Sequence, residues 1–311
     1  MVFLGFCLFI LGYLARESKG EERLNLLILG EGGLGHTGAD LSDTILFLSL
    51  GNKGSVSVSL PRDLWFEPWQ TKVNSFYYFN KQQGKGNEDL KTVFGEILGK
   101  DPDRVIIVDF EVFRQVIDLI GGIDVSIDRT FDDFLYPIAG REDDLCDGDP
   151  EFRCRYEYLH FEAGWEHMDG ERALKFVRSR NAQGDEGTDQ ARSHRQQKVI
   201  KSLKEKISSP SVFLSPRIIK GFWQIFNEKL RTDVSHDDLF LIAKIFFTEK
   251  GRNIESFVLD GWQEEKGLLY HPEKHSSGQW VLLPKDPTWQ GVHQFIDCLF
   301  KEENKQLCSP N

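Results

Sequence analysis

Asp43-Thr-Ile-Leu-Phe-Leu-Ser-Leu50-Gly-Asn-Lys-Gly54-Ser-Val-Ser-Val-Ser-Leu60-Pro-Arg62-Asp63 holds two runs of β-forming residues separated by a short turn. Thr44 to Leu50 and Ser55 to Leu60 read as the strands of a hairpin, closed by Gly51-Asn52-Lys53-Gly54. A turn centred on Asn52 and Lys53 sets an antiparallel register in which Asp43 faces Arg62. Asp43 then stands at the hairpin's entry, with Arg62 and Asp63 at its exit, all on one edge of a sheet. Pro61 has no N–H to donate and ends the ladder. An acid beside an Arg-Asp pair suits a metal-bridged phosphate, and it equally suits a structural salt bridge.

Upstream, Arg23 to Leu29 reads as another strand, followed by the loop that begins Gly30-Glu-Gly32-Gly-Leu-Gly35. Its glycines have dinucleotide-fingerprint spacing, but the next segment is a strand where that motif needs a helix. Downstream, the patterns predict helices over 88–98, 111–120, 169–177, 189–207, 235–247 and 289–300. Another spans 210–230 with a break at Pro216, and Ser235 with Asp238 has near-capping-box spacing. Strands are predicted at 105–110, 123–127, 254–259 and 280–283, while 128–161 reads as irregular and acidic. Strands alternating with helices predict an α/β fold, a three-layer α-β-α sandwich. Its central sheet is mixed because of the hairpin.

Residues 1–15 form an apolar run read as a membrane anchor or signal, 16–23 a charged linker, and 24–311 one block outside the cytoplasmic membrane. The run is short for a spanning helix, so the full product is expected to begin earlier, with basic residues and a complete single-pass anchor. A net charge of −11 argues against a nucleic-acid partner and makes any anion site a local basic pocket. Cys146 with Cys154, and Cys298 with Cys308, are locally spaced pairs that suit two disulfides in an oxidising compartment.

The densest cationic stretch is Phe176-Val-Arg178-Ser-Arg180, an acidic glycine-rich loop, then Asp189-Gln-Ala-Arg192-Ser-His-Arg195-Gln196. Helical spacing puts Arg192, Arg195 and Gln196 on the stripe that carries Val199 and Leu203. Arginines pointing inward near a helix N-terminus need a negative partner. That partner is either an internal set of Asp185, Glu186 and Asp189 or a bound phosphate or pyrophosphate.

Five motifs in order resemble the LytR-CpsA-Psr family of cell-wall glycopolymer ligases: Asp40-Leu-Ser-Asp43-Thr, Leu60-Pro-Arg62-Asp63, Lys72-Val-Asn74, Phe110-Glu-Val-Phe with Ile120-Gly-Gly-Ile-Asp124-Val, and Met168-Asp-Gly-Glu-Arg-Ala-Leu-Lys-Phe-Val-Arg178-Ser-Arg180 leading to Arg192 and Arg195. The resemblance implies a membrane-anchored phosphotransferase. Its donor is an anionic glycopolymer on a polyprenyl-pyrophosphate carrier, and its acceptor is peptidoglycan or another envelope polymer. It also implies Mg²⁺ on Asp43, with Asp40 as second candidate. Arg62, Arg178, Arg180, Arg192, Arg195 and Gln196 would meet the pyrophosphate. Asp63 would position Arg62 or assist removal of the acceptor proton. Two departures stand out: Leu41 replaces a frequent arginine, and Glu31-Gly32-Gly33 replaces a frequent aspartate after the first strand. The competing readings are a polyprenyl-pyrophosphate hydrolase and a non-catalytic protein that binds lipid-linked glycan.

Overall fold

The computed structural model describes residues 22–32, 41–246, 248, 251, 253–259, 267–301, 305 and 308. In chain order the strands are β1 (Arg23–Glu31), β2 (Ser42–Gly51), β3 (Ser55–Leu60), β4 (Trp65–Phe66), β5 (Thr71–Lys72), β6 (Arg104–Val108), β7 (Ile123–Ile127), β8 (Phe131–Pro137), β9 (Tyr156–Phe161), β10 (Gly164–Met168), β11 (Arg231–Thr232), β12 (Ile254–Val258), β13 (Leu269–Tyr270) and β14 (Leu283–Pro284). The helices are α1 (Phe76–Gln82), α2 (Asn87–Leu98), α3 (Phe110–Leu119), α4 (Gly170–Arg178), α5 (Asp189–Ile207), α6 (Pro210–Phe213), α7 (Pro216–Glu228), α8 (His236–Phe246) and α9 (Gln290–Lys301). Among the described residues, one compact unit holds 22–31, 41–108 and those from 231 onward, and a second holds Gly32 and 109–230.

The first unit is built on a six-stranded mixed sheet in the order β11-β6-β1-β2-β3-β12. β1, β2 and β3 are antiparallel neighbours, β6 runs parallel to β1, and β12 runs parallel to β3. The hairpin keeps the register set by its turn, with Ile45 opposite Leu60 and Ser49 opposite Val56. Side chains alternate across a strand. Leu27, Leu29, Ile45, Phe47, Val58 and Ile107 therefore fall on one face, where they join Phe76 of α1, Phe94 of α2 and Leu299 of α9 in a single core. Arg104 points the other way, and its Nε donates to Asp238 Oδ2 of α8 at 2.6 Å. Helices thus cover both faces, as an α/β sheet requires. Ser235 and Asp238 cap α8 reciprocally: Ser235 N donates to Asp238 Oδ2 at 2.7 Å and Asp238 N to Ser235 Oγ at 3.2 Å. A Cys298–Cys308 disulfide ties α9 to Cys308.

The second unit contains two two-stranded antiparallel sheets, β7–β10 and β8–β9, packed with helices around Phe161, Phe176 and Ile123. Residues 128–161 correct the sequence reading, because Phe131–Pro137 and Tyr156–Phe161 pair as antiparallel strands. The pairing slips between Asp133 and Tyr136, and Phe134 and Leu135 are both exposed there. That irregularity erases the alternation by which a strand is recognised. The intervening loop is closed by Cys146–Cys154. The break at Pro216 separates α6 from α7. The 280–283 strand is also corrected: Leu283–Pro284 pairs with Leu269–Tyr270, and Leu282 makes an isolated bridge to Leu64. The two-residue strands β4, β5 and β11 carry too few residues to show a period.

Residues 1–15, expected to be the membrane segment, and Asp40 lie outside the described residues. Among the described residues no helix is long and apolar enough to cross a membrane.

Helices α3 and α4 approach so closely that a methyl on Gly170 would lie 2.3 Å from the Arg114 carbonyl oxygen. Gly170→Ala is expected to force the helices apart and to cost roughly 1–3 kcal/mol in urea unfolding. An unchanged midpoint would disprove that packing.

Candidate functional site

β1, β3, β6 and β12 point the same way, so their carboxyl ends share one edge of the sheet. Crevices at the carboxyl ends of parallel strands are where α/β sheets bind ligands. Asp43 and Arg62 meet on this edge, Nη1 to Oδ1 at 2.7 Å. Arg62 Nε lies 3.4 Å from Asp63 Oδ2, and Lys72 Nζ lies 2.7 Å from Asp63 Oδ1. Lys72 is returned to this corner by β4 and β5, and backbone bonds fasten the segment that follows it. Val73 N donates to Leu64 O at 2.8 Å, and Asn74 N donates to Arg62 O at 3.3 Å. The Lys-Val-Asn and Pro-Arg-Asp motifs are therefore neighbours in space. Asp43 is the open end of the charge row, with its side chain 46% exposed against 19% for Arg62.

Deeper on the same edge, Glu31 is 2% exposed and is ion-paired with Arg231. Ser42, which faces Glu31 across the strand pair, is also buried, and its Oγ has no hydrogen-bond partner among the described residues. A half-exposed carboxylate matches the way Mg²⁺ is held, by one or two carboxylates with water and substrate phosphate completing the shell. Asp43 fits that requirement, while the Glu31 carboxylate is already neutralised by Arg231. Among the described residues, the one cluster of three potential metal ligands is Asp144, Cys146 and Cys154, and both cysteines are disulfide-bonded.

In the second unit the arginines have different environments. Arg195 is 3% exposed and donates to four oxygens. Nε reaches Phe176 O at 3.0 Å, Nη2 reaches Ser179 O at 2.6 Å, and Nη1 reaches both Glu186 O and Glu186 Oε2 at 2.9 Å. Burial pushes its pKa down, and the Glu186 carboxylate opposes that shift. The ion-pair alternative thus describes Arg195, which clamps the end of α4 to the loop before α5. Thr188 caps α5, its Oγ1 accepting from Ala191 N at 3.2 Å. A pocket of about 360 Å³ lies beside Arg195. Its remaining lysine and arginine are also matched with acids, Lys198 with Asp128 at 2.5 Å and Arg129 with Asp185 at 3.1 Å.

Arg178 is held differently. Its guanidinium carbon lies 4.3 Å from the Phe110 ring centroid and 5.7 Å from that of Tyr136. It has no carboxylate partner among the described residues. Aromatic faces fix a guanidinium while leaving its edge able to meet an anion. Arg192 is buried on α5, Gln196 is half-buried, and Arg180 is exposed. The sequence reading missed Asp133, which is fully buried and organises the turn carrying Arg178 and Arg180. Its Oδ2 accepts from Ser179 Oγ at 2.6 Å and from Asn181 N at 3.3 Å. One of two adjacent acids in a segment that reads as acidic and irregular, Asp133 offered no signal that set it apart for that role.

Residues 14–280 match the LytR_cpsA_psr family. The chain belongs to this family. It is similar to the polyisoprenyl-teichoic acid–peptidoglycan teichoic acid transferase TagV of Bacillus subtilis (strain 168), with 30% identity over 228 residues, 71% of this chain and 52% of that protein. The chain thus spans about half of TagV's length. TagU of Oceanobacillus iheyensis, which bears the same transferase description, is 26% identical over 265 residues, 81% of this chain and 72% of that protein. The crystal structure of B. subtilis TagV shares the fold, with a TM-score of 0.61 at 21% identity, covering 89% of this chain and 96% of that one.

Arg195→Gln is expected to destabilise the protein by on the order of 3 kcal/mol, because a buried cation and its oxygen partners lose one another. Urea unfolding of the full chain measures this. A loss below about 1 kcal/mol would remove the structural assignment.

Proposed function

We propose that this family member is a phosphotransferase that moves an anionic glycopolymer from a polyprenyl-pyrophosphate carrier to a hydroxyl of peptidoglycan or another envelope acceptor. The observation that carries the reading is the Asp43–Arg62–Asp63–Lys72 row at the carboxyl edge of the first unit's sheet. The teichoic acid transferase names of the relatives point to the same class of donor and acceptor. The two disulfides accord with an extracytoplasmic site of action.

In the proposed step the acceptor oxygen attacks the phosphorus that bears the glycopolymer. The bridging P–O bond to the polyprenyl phosphate breaks, and a glycopolymer phosphodiester forms on the acceptor. The hydroxyl proton ends on the departing polyprenyl phosphate. Such a displacement asks for positioning and charge neutralisation more than covalent help. Arg62 would grip a phosphoryl group bidentately, with Asp63 as the positioning residue that aims it and Lys72 balancing Asp63. Asp43 would hold Mg²⁺, which when bound neutralises charge on the phosphoryl oxygens. Arg178, with Arg180, Arg192 and Gln196, are the second unit's candidates for the anionic substrate. Arg195 would support their placement.

The test incubates the full chain with labelled lipid-linked glycopolymer, with and without peptidoglycan. Label on peptidoglycan is expected. Phosphate release without acceptor would mean a hydrolase, and bound, unchanged donor would mean a binding protein. Arg62→Gln should lower turnover by at least about tenfold without unfolding the chain, because a charge-assisted contact is lost. Asp43→Ala should weaken the magnesium dependence; an identical magnesium titration would remove Asp43 as a ligand.

A further inference from the structure

Arg231 opens the two-residue strand β11 at the outer edge of the first unit's sheet, 169 positions beyond Arg62 in sequence. It pairs with Ile107 of β6, which in turn stands opposite Leu29 of β1. Residues directly opposite in a sheet share a face. Arg231 therefore projects on the same face as Leu29 and Ile107, and its side chain spans β6 to reach Glu31 at the end of β1. Its Nη1 donates to the Tyr77 hydroxyl at 2.8 Å, and the guanidinium lies 5.6 Å from the Tyr77 ring.

The two ends of this ion pair differ in exposure. The Glu31 side chain is 2% exposed and that of Arg231 is 40% exposed. The acid is an internal anchor, and the cation it holds is presented at the edge. Glu31 stands opposite Ser42, and the next residue, Asp43, holds Arg62. Two guanidinium groups, from β11 and from the end of β3, are thereby anchored on the adjacent ends of β1 and β2. Neighbouring strands are about 4.8 Å apart, so their anchors lie roughly one to two strand spacings from each other. Arg231 reaches its anchor from the β6 side and Arg62 from the β3 side, so the two cations flank the ends of β1 and β2, where a diphosphate would meet both.

We infer that Arg231 is a second diphosphate-binding arginine of this corner, with Glu31 and Tyr77 as its positioning residues. This rests on the proposed function, since it names a further residue for the same substrate. The ligand class is a diphosphate ester, recognised by its phosphoryl oxygens rather than its tail. The competing role is that of a counter-ion which merely neutralises Glu31.

Calorimetric titration of the full chain with geranyl pyrophosphate and with inorganic pyrophosphate separates the two roles. The double variant Glu31→Gln/Arg231→Gln removes the buried charge together with its partner, which buried pairs often tolerate. It is expected to melt as a folded protein and to bind both probes about 10- to 100-fold more weakly. Arg231→Lys keeps a cation opposite Glu31 and so protects the fold, yet loses the planar fork; it should bind both several-fold more weakly. If either variant is folded and binds as wild type does, Arg231 is only a counter-ion and the inference falls. Loss confined to geranyl pyrophosphate would likewise overturn it, because the contact would then read the tail. If wild type binds neither probe, the proposed function falls together with this inference. Binding by wild type that is weakened by Arg62→Gln but not by the Arg231 variants removes this inference alone.

Discussion

Between β2 and β3 one register holds along the whole hairpin, from Ser49 opposite Val56 to Ile45 opposite Leu60, and it carries on to the Asp43–Arg62 ion pair. Because the side-chain period of a strand is two, a slip of one residue would turn Ile45, Phe47, Val56 and Val58 out of the core. Core burial therefore enforces the same alignment that sets the acid against the arginine. The hydrophobic effect supplies the energy, and the charged corner inherits the geometry. Surface ion pairs alone are too weak to specify such an arrangement.

Arginine has contrasting roles in this protein, decided by what surrounds each guanidinium. Arg195 sits among Phe176 O, Ser179 O and Glu186, where its donors satisfy oxygens at the end of α4 and in the following loop. Arg178 lies against the aromatic rings of Phe110 and Tyr136, with no carboxylate partner among the described residues. Arg62 has two acids within reach and a lysine sharing one of them. A buried cation whose partners are internal serves the fold; under the proposed function, Arg62 and Arg178, held by half-exposed or aromatic contacts, are the ones that meet the substrate anion.

Much of the frame was legible because short-range chemistry specified it. The glycine-flanked turn at 51–54 set the hairpin, Ser235 and Asp238 capped α8, and Pro216 broke the helix as its missing N–H requires. The paired cysteines lay close enough in sequence for their disulfides to be read from spacing. The β8–β9 hairpin was hidden because its irregularity exposes two consecutive apolar residues. For Arg192 and Arg195, the helical stripe correctly indicated burial but could not say whether the compensating oxygens belonged to the protein or to a ligand.

By itself the sequence determined the alternation of strands and helices, the facing of Asp43 and Arg62, and the family to which the chain belongs. Local periodicity, turn chemistry and motif order carry that information, and none of it needs contact between distant segments. Only the tertiary structure decided that Lys72 would share Asp63 with Arg62, that Asp133 would hold the turn after α4, and that Arg231 would cross β6 to reach Glu31. Glu31 and Arg231 are 200 positions apart, and β11 is only two residues long. So short a strand has no period of its own; it exists because β6 offers it an edge, and its arginine finds the buried acid only once the sheet has assembled.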